Sequence, residues 1–190
     1  MRKIGCVLLF TLLIISAQCY AVEPLPDYWS QWETEKDTFT SGIDKEVYRS
    51  KPDSLTIRND SKSKSAENSR SGITQTIKID KYLGKRIKYS AYIKTKNLEQ
   101  WAYIYASSGK IYPFEGIKGD KTKGVSQDWT LVSLVFDIPK KHNKDTISLC
   151  FSLWEGGQMW IDDIKWEIVD ESVPVTYKVP APTLDEPILK

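Results

Sequence analysis

From residue 147 onward, every second residue is apolar. Ile147, Leu149, Phe151 and Leu153 share one side, while Ser148, Cys150, Ser152 and Trp154 take the other. A period of two is the pattern of a strand with one oily face. Gly156-Gly157 then offers the positive φ angles that a two-residue turn needs, so residues 147–169 are expected to form a hairpin. Its returning strand would carry Trp160, Ile164, Trp166 and Ile168 on one side, interrupted by Asp162-Asp163.

The same alternation recurs upstream. Residues 72–80 set Ile73, Ile77 and Ile79 against Thr74, Thr76 and Lys78, and residues 85–95 set Ile87, Tyr89, Ala91 and Ile93 against Arg86, Lys88, Ser90, Tyr92 and Lys94. In residues 101–106, Trp101, Tyr103 and Tyr105 lie opposite Ala102, Ile104 and Ala106. Further strands are expected at 28–33, 38–47, 54–58 and 129–138. Between them run a polar loop at 59–71 whose only apolar residue is Ala66, a Gly/Lys-rich connection at 107–127 carrying Tyr112 and Phe114, and a charged turn at 140–145. No segment after the N-terminal stretch has a helical period. About eight short antiparallel strands over 28–170 predict an all-β sandwich or barrel. Residues 171–190, with Pro174, Pro180, Pro182 and Pro187, read as a Pro-rich extended tail.

The N-terminus changes the picture of compartment and charge. Met-Arg-Lys, an uncharged run from Ile4 to Ala17 and a small residue at Ala21 make a signal peptide over 1–21, so the protein is expected to be exported, periplasmic or secreted. The run falls short of the ~20 residues that span a bilayer, which argues against a stable transmembrane anchor after processing. Loss of Arg2 and Lys3 lowers the basic count from 27 to 25, level with the 25 acidic residues. No positive field is left to attract nucleic acid. Cys6 and Cys19 leave as well, so Cys150 stands alone as a packed, inert thiol and the fold must rest on its core. The length suits one domain, expected to be a monomer.

Catalytic groups are scarce. His142, the sole histidine, sits in the charged turn, and no nucleophile or metalloprotease motif occurs. Asp162 and Asp163 are adjacent on an expected strand, would point to opposite faces, and so could not act together as an acid–base pair. The chain is therefore expected not to be an enzyme. Seven tryptophans and ten tyrosines offer a different chemistry. Trp101, Tyr103, Tyr105 and Trp154, with Tyr112 and Phe114 as a rim, could stack on the apolar face of a sugar ring. The same Trp101 face could equally fill the interior of a sandwich. Trp29, Trp32, Trp129, Trp160 and Trp166 are assigned to packing.

Several segments together resemble a recurring exported sandwich: Gln75-Thr76-Ile77, Tyr82 to Ile87 running into Ser90 to Thr95, Asp128-Trp129, Phe136 to Pro139, and Gly157 to Ile164. Their order is similar to the jelly-roll domains of the galactose-binding-like superfamily, including CenC-type carbohydrate-binding modules. It is closer still to uncharacterised accessory domains beside bacterial serine peptidases and transcriptional regulators. The resemblance covers roughly residues 29–170 and implies a non-catalytic module that recognises a carbohydrate by aromatic stacking. The alternative is a protein-interaction or scaffold domain of the cell envelope, its partner an envelope protein. No cofactor is expected beyond a structural calcium, for which Asp162 and Asp163 are the candidates, with Glu33 or Glu35 as further oxygen donors.

Overall fold

The computed structural model describes residues 22–59 and 68–176. The expected signal peptide, most of the 59–71 loop and the tail beyond residue 176 lie outside the described residues. Among the described residues ten strands follow one another: β1 (Ser30–Glu33), β2 (Thr40–Asp44), β3 (Ser54–Asn59), β4 (Arg70–Lys78), β5 (Arg86–Leu98), β6 (Trp101–Ser107), β7 (Phe114–Lys118), β8 (Val125–Asp137), β9 (Thr146–Trp154) and β10 (Gly157–Val169). They build two antiparallel five-stranded sheets, ordered β1-β4-β9-β6-β7 and β2-β3-β10-β5-β8. The expected all-β sandwich is what forms, with ten strands instead of about eight. The connection at 107–127 hides β7, whose sequence Phe-Glu-Gly-Ile-Lys is too short and too polar to show a period.

The core lies between the inner faces of the two sheets. On β9, Ile147, Leu149, Phe151 and Leu153 are buried, and from the other sheet Ile87, Tyr89, Ala91 and Ile93 of β5 meet them. On β6 the inner positions are Ala102, Ile104 and Ala106, all buried; Ala102 and Ala106 pair across the ladder with Leu153 and Leu149. Bulk on β9 is thus matched by small residues on β6, as close packing requires. That complementarity sends the aromatic side of β6 outward.

Tyr89 is fully buried, and its hydroxyl has no hydrogen-bond partner among the described residues; burial drives its phenol well above the ordinary value. A buried polar atom without a partner carries its full desolvation penalty. Tyr89→Phe is therefore expected to raise stability by about 1 kcal/mol, measurable as a higher urea midpoint at unchanged slope. A lower midpoint would show that the hydroxyl is satisfied in solution.

Two features of the C-terminal segment differ from expectation. β9 and β10 do not form a hairpin: β9 pairs with β4 and β6, whereas β10 pairs with β3 and β5 in the opposite sheet. The turn between them is an arch that crosses the sandwich. Its positive φ angles belong to Glu155 (60°) and Gly157 (114°). A Cβ at Gly157 would lie 2.7 Å from the Asn97 carbonyl oxygen, and Gly156 and Glu99 exchange hydrogen bonds. The glycines thus serve close packing against the β5–β6 connection. The second difference is the side taken by Trp160. The β10–β5 ladder shifts register between Asp162 and Lys165, with Asp163 at φ 50°. Such a bulge reverses which face the following residues point to. Trp166 therefore turns into the core against Tyr82, Tyr89 and Phe136. Trp160 lies on the outer face, and its indole N–H donates to Asp44 Oδ2 at 2.7 Å.

Beyond β10, the first residues of the tail are sewn to the sandwich. Arg86 donates to the carbonyls of Glu171 and Val173, and the Thr176 N–H donates to the Val135 carbonyl on the edge of β8.

Candidate functional site

Because β4, β9, β6 and β7 lie side by side, the register sets their outward residues in rows. Arg70, Trp154, Trp101 and Lys118 form one row, and Gly72, Ser152, Tyr103 and Gly116 the next. A third holds Thr74, Cys150, Tyr105 and Phe114. The open question about the Trp101 side of β6 is thereby resolved: Trp101, Tyr103 and Tyr105 are half-buried on the outer surface, together with Trp154. Tyr112 and Phe114 stand at the rim, 46% and 59% exposed.

These rings enclose a cleft of about 470 Å³ lined by Arg70, Trp101, Tyr103, Tyr112, Phe114 and Trp154. Small side chains at Gly72, Ser152 and Gly116 leave the middle row low. Trp154 and Tyr103 meet edge to face at 5.6 Å, and the Trp154 indole N–H donates to the Tyr103 hydroxyl at 2.7 Å. Tyr103 also contacts Tyr105 at 5.6 Å and Phe114 at 6.5 Å, and Tyr105 contacts Tyr112 at 5.3 Å. Tyr103, Tyr105, Tyr112, Phe114 and Trp154 are therefore each held by a neighbouring ring, so little of their side-chain entropy remains to be lost on binding. The Arg70 guanidinium lies 4.3 Å above the centre of the Trp154 ring.

Two phenols of this face, Tyr105 and Tyr112, stay neutral. Burial, aided by the neighbouring Cys150, raises the Tyr105 phenol far above its ordinary value, and burial also raises Tyr112. Burial raises the Cys150 thiol too, against the opposing hydrogen bonds of Thr74 and Tyr105. Cys150 is accordingly a buried, protonated thiol.

An adjoining depression of about 440 Å³ shares Tyr112 with the cleft and is lined also by Trp32, Thr74, Tyr105, Ser107, Ser148 and Cys150. Trp32, assigned to packing from sequence, lies on this outer face. A Cβ at Gly72 would come within 2.6 Å of its ring, so the glycine is needed for the indole to lie flat across β4. Trp32 and Arg70 are the residues that sequence reasoning missed. The available signal was the register of β1 and β4 opposite β9, which no local pattern reveals. A third cleft, between the edges of β7 and β8, has no aromatic lining.

Asp162 and Asp163 sit elsewhere, on the other sheet. Asp162 accepts the backbone N–H groups of Arg49 (2.7 Å), Ser50 (2.8 Å) and Asp163 (2.6 Å), and Asp163 pairs with the Arg49 guanidinium. The bulge turns both carboxylates toward the Arg49-Ser50 segment, contrary to the opposite-face expectation for a regular strand. A calcium cage needs six to eight oxygen ligands. Here the guanidinium occupies the place of a cation, and Glu33 spends its carboxylate on the Asp37 and Phe39 amides. Among the described residues no three His, Cys, Asp or Glu side chains come together to hold a metal.

His142 contacts Ser108, with Nε2 at 2.7 Å from Oγ, but the Ser108 hydroxyl donates to the Thr146 carbonyl at 2.6 Å. A hydroxyl has one proton to give, so the imidazole must donate to Ser108 and cannot act as its base.

No known family profile matches the chain. An uncharacterised HTH-type transcriptional regulator of Bacillus subtilis, YbfP, is 34% identical over 119 residues, which take in 60% of this chain and 39% of the regulator. Among solved structures, the carbohydrate-binding module TmCBM61, in complex with β-1,4-galactotriose, matches 75% of this chain and 90% of its own at 10% identity and a TM-score of 0.52. An enzymatically active domain of the bacteriophage CBA120 tailspike protein 4 matches 75% of this chain and 20% of its own, at 15% identity and a TM-score of 0.51. An α-L-arabinofuranosidase, MgGH51, matches 74% and 23%, at 13% identity and a TM-score of 0.52. The shared feature is the sandwich fold, which carbohydrate-binding modules and carbohydrate-active enzymes both contain. No helix of the described residues is long and apolar enough to cross a membrane.

Proposed function

We propose that this chain is an exported, non-catalytic module, acting as a monomer, that binds a glycan on the outer face of the β4-β9-β6-β7 layer. The observation that carries this reading is the cleft itself. Trp154, Trp101, Tyr103 and Phe114 present ring surface to solvent, and the hydroxyls of Tyr103 and Tyr112 stand beside them. Rings accept the apolar face of a sugar while neutral phenols bond its hydroxyls. The adjoining Trp32 depression extends the surface for a longer chain. The sandwich shared with the galactotriose-bound TmCBM61 is in keeping with this use.

The test is a panel of soluble polysaccharides titrated against intrinsic tryptophan fluorescence. For any polysaccharide the native protein retains, Trp154→Ala is expected to weaken binding by about 2 kcal/mol, roughly thirtyfold, with the circular dichroism of the sandwich unchanged. Unchanged affinity in both Trp154→Ala and Trp101→Ala would overturn the stacking mechanism. The alternative, a scaffold domain binding an envelope protein, expects no saturable glycan binding at all.

A further inference from the structure

We propose that the glycan taken by this cleft is acidic, with a sugar carboxylate received by Arg70. The inference rests on the glycan-binding reading and adds the charge of the ligand to it. Arg70 lies on the exposed face of β4 in register with Trp154, and its guanidinium sits over that indole at 4.3 Å. Among the described residues, no carboxylate lies within ion-pair distance of it. Two other arginines show the contrast: Arg86 is paired with Asp137 and Arg49 with Asp163. Among the described residues the cleft lining contains no acidic side chain, and Arg70 is the one formally charged residue of that lining. At the far end of the same row, Lys118 stands next to Trp101, also without an acidic partner among the described residues.

Two cations without an acidic partner among the described residues therefore bracket a pair of indoles. Across three strand spacings they stand about 14 Å apart along the row. A neutral sugar offers such charges hydroxyl oxygens as hydrogen-bond acceptors but no opposite charge to balance them. A sugar acid offers a planar carboxylate whose two oxygens match the forked donors of a guanidinium, while its ring still stacks on Trp154. Stacking Arg70 on the indole also positions it in advance, so the fork is held next to the ring that the sugar covers.

The experiment compares one backbone with and without its charge: polygalacturonate and its fully methyl-esterified form, with dextran sulfate and dextran as the sulfated and neutral arms. Tryptophan fluorescence is recorded at low and at 0.5 M salt for the native protein, Arg70→Gln, Arg70→Lys and Trp154→Ala. The expected result is at least tenfold tighter binding of polygalacturonate than of its ester, a preference that salt weakens. Arg70→Gln should bring the ratio of acid to ester affinity from tenfold to about one, and Arg70→Lys should recover part of that ratio. Equal affinity for acid and ester, or a preference that survives in Arg70→Gln, would overturn the proposal while leaving the glycan reading intact. A preference for dextran sulfate over polygalacturonate would overturn the assignment to a carboxylate. Failure to bind any of the four polymers would overturn both readings if a wider neutral panel is also silent, and the acidic one alone if a neutral glycan binds.

Discussion

Phe151→Ala is expected to lower stability by about 4 kcal/mol, the range in which a buried aromatic leaves a cavity that its neighbours cannot fill. The side chain is fully buried in the middle of β9 and touches rings from both sides of the sandwich: Trp29 at 5.9 Å and Tyr89 at 5.8 Å. Across the ladder it faces Ile73 and Ile104, both fully buried. Ala102 and Ala106 on β6 are already small and have no side chain to move into the gap. Against a total stability of about 5–15 kcal/mol for a domain of this kind, the loss is a large fraction. Urea unfolding followed by tryptophan emission measures it, with Phe151→Leu as a volume-sparing control expected to lose less than about 1.5 kcal/mol. A loss under 1 kcal/mol for the alanine variant would mean the two sheets collapse onto each other freely. The variant also separates core from site. Phe151 points inward between Cys150 and Ser152, which point outward, so ligand affinity well below the unfolding midpoint should change little.

The alternation of β9 and β5 was legible because one side of each strand carries almost all the apolar volume. Position along the chain could not show which sheet a strand joins. The Glu155–Gly157 arch has the residues of a hairpin, yet it crosses the sandwich, because a turn signal records local φ angles and not the partner strand. On β6 both faces are apolar, so periodicity left the inward side undecided. The decision came from volume: β9 already fills the interior opposite Ala102 and Ala106. The aromatic members of the candidate site were therefore readable as a group, but not their setting. Arg70 and Trp32 join them only through the register of β1, β4 and β9, contacts of long sequence separation that carry no local trace. The bulge in β10 likewise hides in a single positive φ at Asp163, and with it the change of face between Trp160 and Trp166.

That bulge underlies the second large effect. Asp162→Ala is expected to cost about 3 kcal/mol, because one carboxylate accepts three backbone N–H groups and charge-assisted bonds of this kind are the strong ones. Its loss would release the connection between β2 and β3. That connection is fixed at its start by Asp44, which accepts the Glu46 and Val47 amides, and at its middle by Asp162 and Asp163. There Arg49 also rests 3.7 Å from the centre of the Tyr92 ring. Trp160, 5% exposed on the same outer face, would lose cover. A red-shifted tryptophan emission and new proteolytic cleavage within residues 45–53 should accompany the lower thermal midpoint. An unchanged midpoint with no cleavage would remove the anchoring role. Acid should act on the neighbouring group in the same direction. The Ser50 hydrogen bond, and after it Arg49, hold the Asp163 carboxyl below its usual range. A lowered value in the folded state means that the contribution is complete above the unfolded value of about 3.9 and is lost as pH falls through the folded one. The native protein should therefore show an acid-side loss that Asp163→Asn lacks, and equal acid profiles would indicate that Arg49 leaves Asp163 when the protein is in solution.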